Sequence, residues 1–195
     1  RQQAFDWNVM HPDEEVVRLA QCLKHIHAMP DNGADYHLQD IISHYLTSAR
    51  GFESELVSEL NWLESVFGRL VERIPAYRPV MCHNDINPKN CLADALHFWV
   101  IDWEYAGVGD PLFDLAVVVA SHNLSHKQTA LFLEEYDPTL VYDEVWPVIQ
   151  CYIKLYSVRE MAWLLLKYLS SPRDFEALQC YYAFKQTMLA ENGGA

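Results

Sequence analysis

Between the apolar stub Val80-Met81-Cys82 and the apolar pair Cys91-Leu92 runs a polar stretch, His83-Asn84-Asp85-Ile86-Asn87-Pro88-Lys89-Asn90. Asn, Asp and Pro favour turns, so this stretch is a loop joined to strand-like pieces on both sides. Cys91-Leu92, a turn at Ala93-Asp94-Ala95, and the run from Leu96 to Ile101 then read as a small β-hairpin, with Asp102 at its exit. Gly107, Gly109 and Pro111 make the next stretch a loop. Asp110-Pro111 forms a good N-cap and first-turn pair for a helix over residues 111–123.

Helical patterns surround this island. Pro12-Asp13-Glu14-Glu15 places acids in a first turn, and Leu19, Leu23 and Ile26 recur at helical spacing until Pro30. Asp31-Asn32-Gly33 is a turn. Ile41, Ile42, Tyr45 and Leu46 predict a second helix ending near Gly51, and Leu56 to Val71 a third stopped by Pro75. From Thr129 onward the pattern is helical again, with breaks expected at Pro138, Pro147 and Pro172 and a frayed tail at Glu191–Ala195. The expected fold is mostly α with one small hairpin, and the polar motifs cluster around that hairpin.

The composition narrows the function classes. Twenty-seven acids against fourteen bases give a formal charge of −13, which repels nucleic acid and anionic lipid and favours cationic partners. A surplus of acid is equally a device for solubility. Any nucleotide site would need Mg²⁺ and a locally basic or metal-bridged pocket. The five cysteines form no C-x-x-C pair, which predicts a reduced, cytoplasmic protein with buried thiols and no disulfide framework. No apolar run reaches the roughly 20 residues of a membrane span. The chain begins at Arg1, so part of a longer product is expected.

His83-x-Asp85-x-x-x-x-Asn90 matches the catalytic-loop spacing H-x-D-x-x-x-x-N of kinases. That spacing serves phosphoryl transfer for a physical reason. A carboxylate must meet the attacking hydroxyl, while an amide oxygen further along the loop reaches a metal on the phosphates. Asp102 follows Asn90 by twelve residues across the hairpin, which returns a second carboxylate beside the loop. One Asn and one Asp form a hard oxygen set suited to Mg²⁺. The competing reading, ordinary turn residues, suits a lone His-x-Asp pair better than this whole constellation.

His83–Asn90, Ile101-Asp102-Trp103-Glu104-Tyr105-Ala106-Gly107 and Gly109-Asp110-Pro111-Leu112-Phe113-Asp114-Leu115-Ala116 resemble the aminoglycoside phosphotransferase and choline kinase superfamily, most of all bacterial choline kinases. The resemblance implies the C-terminal lobe of a protein-kinase-like fold over 1–195, with a catalytic loop at 81–92, a metal loop at 100–117 and a helical substrate region at 118–190. It implies Asp85 as catalytic base, His83 as a brace of the loop, Asn90 and Asp102 as Mg²⁺ ligands, and Asp114 as a buried anchor of the loop. ATP would be the phosphate donor and a small alcohol, choline or ethanolamine, the acceptor. Glu104 would contact a cationic substrate or lie in an exposed loop. Tyr152, Tyr156, Glu160 and Trp163 share one helical face that could line a cation pocket, with core packing the stronger reading. Ser121 and His122 stand where choline kinases often place a substrate-facing acid. His25 and His27 read as structural, and His122 with His126 lacks the Glu of a zinc-protease motif.

Two departures qualify this reading. Asn87 stands where protein kinases place Lys, and no Ala-Pro-Glu motif occurs, which argues for a small-molecule acceptor. The glycines, at 33, 51, 68, 107, 109, 193 and 194, form no phosphate-covering loop. The N-terminal nucleotide-covering lobe is therefore expected to lie outside this chain, and the chain alone is expected to be inactive. Aminoglycoside, thiamine or sugar phosphotransfer stays open, as does a non-catalytic binding module.

Overall fold

A computed structural model describes residues 3–4, 12–30, 33–52, 55–94, 96–171 and 174–192. The expected turn at Asp31-Asn32, the break at Pro172, Ala95 of the hairpin turn and residues 193–195 of the tail lie outside the described residues. The order of elements is β1 (Gln3–Ala4), α1 (Pro12–His27), α2 (Leu38–Arg50), α3 (Val57–Val71), β2 (Val80–Cys82), a 3-10 turn (Pro88–Asn90), β3 (Cys91–Ala93), β4 (Phe98–Val100), β5 (Gly107–Gly109), α4 (Pro111–Ser121), α5 (His126–Tyr136), α6 (Tyr142–Ser170) and α7 (Phe175–Asn192). The mostly helical architecture read from the sequence is therefore present.

The chain divides into two compact units, Arg1–Tyr36 with Pro75–Ile153, and His37–Ile74 with Lys154–Ala195. In the first, β3 and β4 form the expected antiparallel hairpin in the register Cys91↔Val100 and Ala93↔Phe98. The Asp94 carboxylate closes its turn by accepting the backbone N–H groups of Leu96 and His97. Strand β1 pairs with the other edge of β3. Arg18 of α1 donates to the backbone carbonyls of Asp94 and His97, fixing the hairpin turn against that helix. Packing of α1 rests on Val16, Leu19, Ala20, Leu23 and Ile26, all buried, on the spacing the sequence predicted.

Two expectations are corrected. Gly107–Gly109 is not loop but strand β5, antiparallel to β2 with Val80 opposite Gly109 and Cys82 opposite Gly107. The glycines are there because another stretch of backbone lies over the strand. The Tyr36 N–H donates to the Val108 carbonyl (2.8 Å) and the Val108 N–H to the Ala34 carbonyl (2.9 Å). Pro147 does not end a helix, because α6 runs through it for 29 residues. Pro147 and Asp143, whose carbonyl the missing N–H would have met, are both exposed, so water can take the freed acceptor.

In the second unit α2 packs on α3 through Leu38, Ile42, Leu46 and Ala49 against Leu60, Leu63 and Leu70. Glu59 joins α3 to α7, accepting from the Tyr181 hydroxyl (2.7 Å) and the Lys185 ammonium (2.6 Å).

The glycines of β5 give a stability test. A Cβ on Gly107 would stand 2.6 Å from the Ala34 carbonyl oxygen, whereas one on Gly68 of α3 would meet nothing within 4 Å. Gly107→Ala should lower stability by about 1–3 kcal/mol, while Gly68→Ala should raise it by roughly 0.5–1 kcal/mol through helix propensity. Thermal unfolding of the two variants beside the parent protein checks both signs.

Candidate active site

Asp114 organises the loop between β2 and β3. It lies in the first turn of α4, where the helix dipole favours an anion, and is fully buried. Its Oδ2 accepts the His83 N–H (2.8 Å) and its Oδ1 the Asn84 N–H (2.6 Å), so one carboxylate takes two consecutive amides of the loop. A third donor, His27 Nε2 at the end of α1, reaches Oδ2 at 3.0 Å. Burying a carboxylate is tolerable only with such compensation. Asp110 caps α4 through the Leu112 N–H (2.9 Å) and so holds the helix start that carries Asp114.

His83 spans the loop and the hairpin exit. Its Nε2 lies 3.1 Å from the Ile101 carbonyl, and its Nδ1 accepts the Asp85 N–H at 3.3 Å. Both bonds are satisfied at once by a neutral ring with the hydrogen on Nε2. Burial, the largest influence, pushes the ring's pKa down and favours that neutral form, against the neighbouring carboxylates. The Trp103 ring packs edge-on against His83 with centroids 4.8 Å apart.

Asp85, half-buried beyond His83, has its carboxylate set by two amides. Oδ2 accepts from Asn87 Nδ2 at 3.0 Å and from Asn90 Nδ2 at 2.9 Å. The Asn90 nitrogen also meets the Asp85 carbonyl at 2.9 Å. With the nitrogen so committed, the amide oxygen Oδ1 is the atom Asn90 can offer a hard cation. Asn87 caps the 3-10 turn, its Oδ1 accepting the Lys89 N–H at 2.9 Å.

Asp102 reaches this group through the hairpin. The Ile101 N–H donates to the Asn90 carbonyl at 2.9 Å, extending the β3–β4 ladder by one step. Asp102 therefore leaves the ladder beside Asn90, exposed, with a left-handed backbone (φ 62°). A non-glycine residue in that region is strained, and such strain collects at functional sites. A carboxylate and an amide oxygen are the hard ligand types that suit Mg²⁺, which takes few protein ligands and keeps waters. Glu104 is exposed in the turn that follows Asp102.

The proposed cation-binding face is engaged otherwise. Tyr152 is only 2% exposed and gives its hydroxyl to the Asp110 carboxylate in a short hydrogen bond within the first unit. In the second unit the buried Arg159 guanidinium lies 5.2 Å from the Tyr156 ring centroid and 3.0 Å from a Glu160 carboxylate oxygen. Lys167 Nζ stands 5.0 Å from the centroid of the Trp163 ring. Each of these four residues thus already has a protein partner.

The roles of three sets of residues escaped the sequence reading. Asn84 is fully buried with φ 64°, and its side-chain nitrogen donates to the Tyr105 carbonyl at 2.9 Å, tying the loop after β2 to the turn that follows Asp102. The signal was available: Asn is among the few side chains that tolerate this backbone. Ser121 Oγ and His122 Nε2 lie 3.4 and 3.3 Å from the Ile86 carbonyl, so the C-terminal end of α4 braces the loop. Burial lowers His122 to a pKa of about 4, keeping it neutral. The third set is His27 with Tyr136. His27, Cys82 and Asp114 place ligand atoms within 4.8 Å of one another, a spacing open to a metal. Hydrogen bonds already occupy them, however: the Cys82 thiol, pushed up by burial, donates to the Val80 carbonyl at 3.5 Å.

The phosphotransferase enzyme family matches residues 6–147, and the chain belongs to it. Its fold is likewise kinase-like. Protein LicA of Haemophilus influenzae is 38% identical over 81 residues, 40% of this chain and 30% of that protein. Among solved structures, a Plasmodium vivax ethanolamine kinase aligns with TM-score 0.77 at 16% identity, over 96% of this chain and 62% of that one. The choline kinase LicA of Streptococcus pneumoniae aligns with TM-score 0.66 at 21% identity, over 93% of this chain and 67% of that one. The chain thus spans about two thirds of these kinases, and the matched stretch under a third of the H. influenzae protein.

The left-handed turn at Asn84 yields a paired test. Asn84→Gly keeps the backbone easy but loses the bond to Tyr105, whereas Asn84→Ala loses the bond and strains the backbone by roughly 1–2 kcal/mol. Chemical denaturation should find the alanine variant less stable than the glycine variant by about 1 kcal/mol.

Proposed function

We propose that the protein transfers the γ-phosphate of ATP to the hydroxyl of a small alcohol, choline or ethanolamine, in the cytoplasm. The observation that carries this reading is the Asp85 carboxylate held by Asn87 and Asn90, with Asp102 delivered beside Asn90 by the hairpin. The acceptor oxygen attacks phosphorus, the bond from phosphorus to the bridging oxygen of ADP breaks, and the hydroxyl proton passes to Asp85. The two amides on Oδ2 orient the carboxylate. His83 keeps the loop fixed relative to Ile101, and therefore to Asp102. Asn90 Oδ1 and Asp102 would hold Mg²⁺, whose chemistry is to neutralise charge on the phosphates.

Likeness to choline and ethanolamine kinases supports the choice of acceptor, as does the net charge of −13, which favours a cation. The chain spans about two thirds of the kinases it resembles, which supports the proposal that a further lobe completes the ATP site and that turnover needs it.

The test uses the full-length protein containing this chain, with Mg²⁺-ATP and a panel of choline, ethanolamine, an aminoglycoside, thiamine and a sugar. Choline or ethanolamine should be phosphorylated with the highest kcat/KM. Turnover of another acceptor alone would overturn the choice of substrate, and no turnover of any would favour a binding module. Asp85→Ala should lower kcat by about 10²–10⁴-fold with acceptor KM changed only a few-fold. Activity above a few per cent of the parent enzyme would remove Asp85 from the role of base.

A further inference from the structure

The relay that ends on Asp114 begins two helices away. Tyr136, the last residue of α5, has its hydroxyl 2.8 Å from His27 Nδ1, and His27 Nε2 lies 3.0 Å from Asp114 Oδ2. From Asp114 the bonds continue to the His83 and Asn84 amides. The two partners meet in the core: the His27 side chain is 5% exposed and that of Asp114 fully buried. Burial and nearby acids push the Tyr136 phenol up, so it keeps its proton. A protonated phenol facing Nδ1 can donate to it, which places the ring hydrogen on Nε2, the nitrogen facing the carboxylate. A carboxylate only accepts, so that tautomer makes the third bond to Asp114. Without it, Oδ2 would keep a single amide and the carboxylate could rotate away from the loop.

We propose that His27 and Tyr136 are positioning residues for phosphoryl transfer, acting through Asp114 to hold the His83-Asn84-Asp85 backbone. The inference rests on the phosphotransferase reading above but is separable from it by experiment. Neither residue touches the reacting atoms. Their effect is on whether Asp85 sits where a bound hydroxyl can use it, and a small misplacement there is costly. Gln at 27 can place its side-chain amide nitrogen near the position of His Nε2, so His27→Gln preserves the donor that His27→Leu removes.

Two readouts on the full-length protein test this. In NMR hydrogen exchange, His27→Leu and Tyr136→Phe should speed exchange of the His83 and Asn84 amides at least tenfold. The amide of Leu115 in α4 should be unchanged, and His27→Gln should restore slow exchange. This readout stands whether or not any acceptor is phosphorylated. In steady-state kinetics well below the melting temperature, His27→Leu should lower kcat about 10–100-fold with acceptor and ATP KM within threefold, and His27→Gln should recover most of it. Tyr136→Phe should fall between, and it carries both tests if His27→Leu does not fold. Unchanged exchange at His83 and Asn84 in Tyr136→Phe would overturn the proposal. So would a glutamine variant no better than leucine, or a kcat within twofold of the parent in the folded variants.

Discussion

A single buried carboxylate, Asp114, fixes the part of this protein in which the chemistry is placed. Its two oxygens receive the amides of His83 and Asn84, and its charge is balanced by those donors, by His27 and by the start of α4. Hydrogen bonds to a charged group are worth about 1.5–3 kcal/mol each, so the loop is held by a substantial share of the protein's stability. Everything further along depends on that grip. The Asp85 N–H turns to His83, the Asp85 carboxylate to Asn87 and Asn90, and Asn90 to the hairpin that returns Asp102.

The framework and the loop between β2 and β3 were legible in the sequence because both are written in local signals. Helical spacing located α1, α2 and α3, Asp110-Pro111 marked the start of α4, and the spacing from His83 through Asn90 to Asp102 marked the loop and its return. What escaped was written in long-range contacts. Gly107 and Gly109 looked like loop punctuation because the backbone of residues 34–36 that crosses them is distant in sequence. Pro147 looked like a stop because nothing local says that its turn of helix faces water. His27 and Tyr136 are 109 residues apart, and no periodicity could join them.

The four residues that could line a cation pocket were the hardest to place from the sequence. Tyr152, Tyr156, Glu160 and Trp163 do share one helix, but helical spacing cannot say what each side chain meets. Tyr152 serves the cap of α4, and the others meet Arg159 and Lys167. Aromatic rings and acids on a helix attract whatever cation the fold supplies, and here the chain supplies its own.

The central claim, that Asn90 and Asp102 form one hard-oxygen site beside Asp85, is tested most directly by Mn²⁺ binding in the presence of a non-hydrolysable ATP analogue, followed by electron paramagnetic resonance on the full-length protein. Asp102→Ala and Asn90→Ala should each weaken Mn²⁺ binding by tenfold or more, with Glu104→Ala close to the parent. Unchanged Mn²⁺ affinity in both Asp102→Ala and Asn90→Ala would contradict the account.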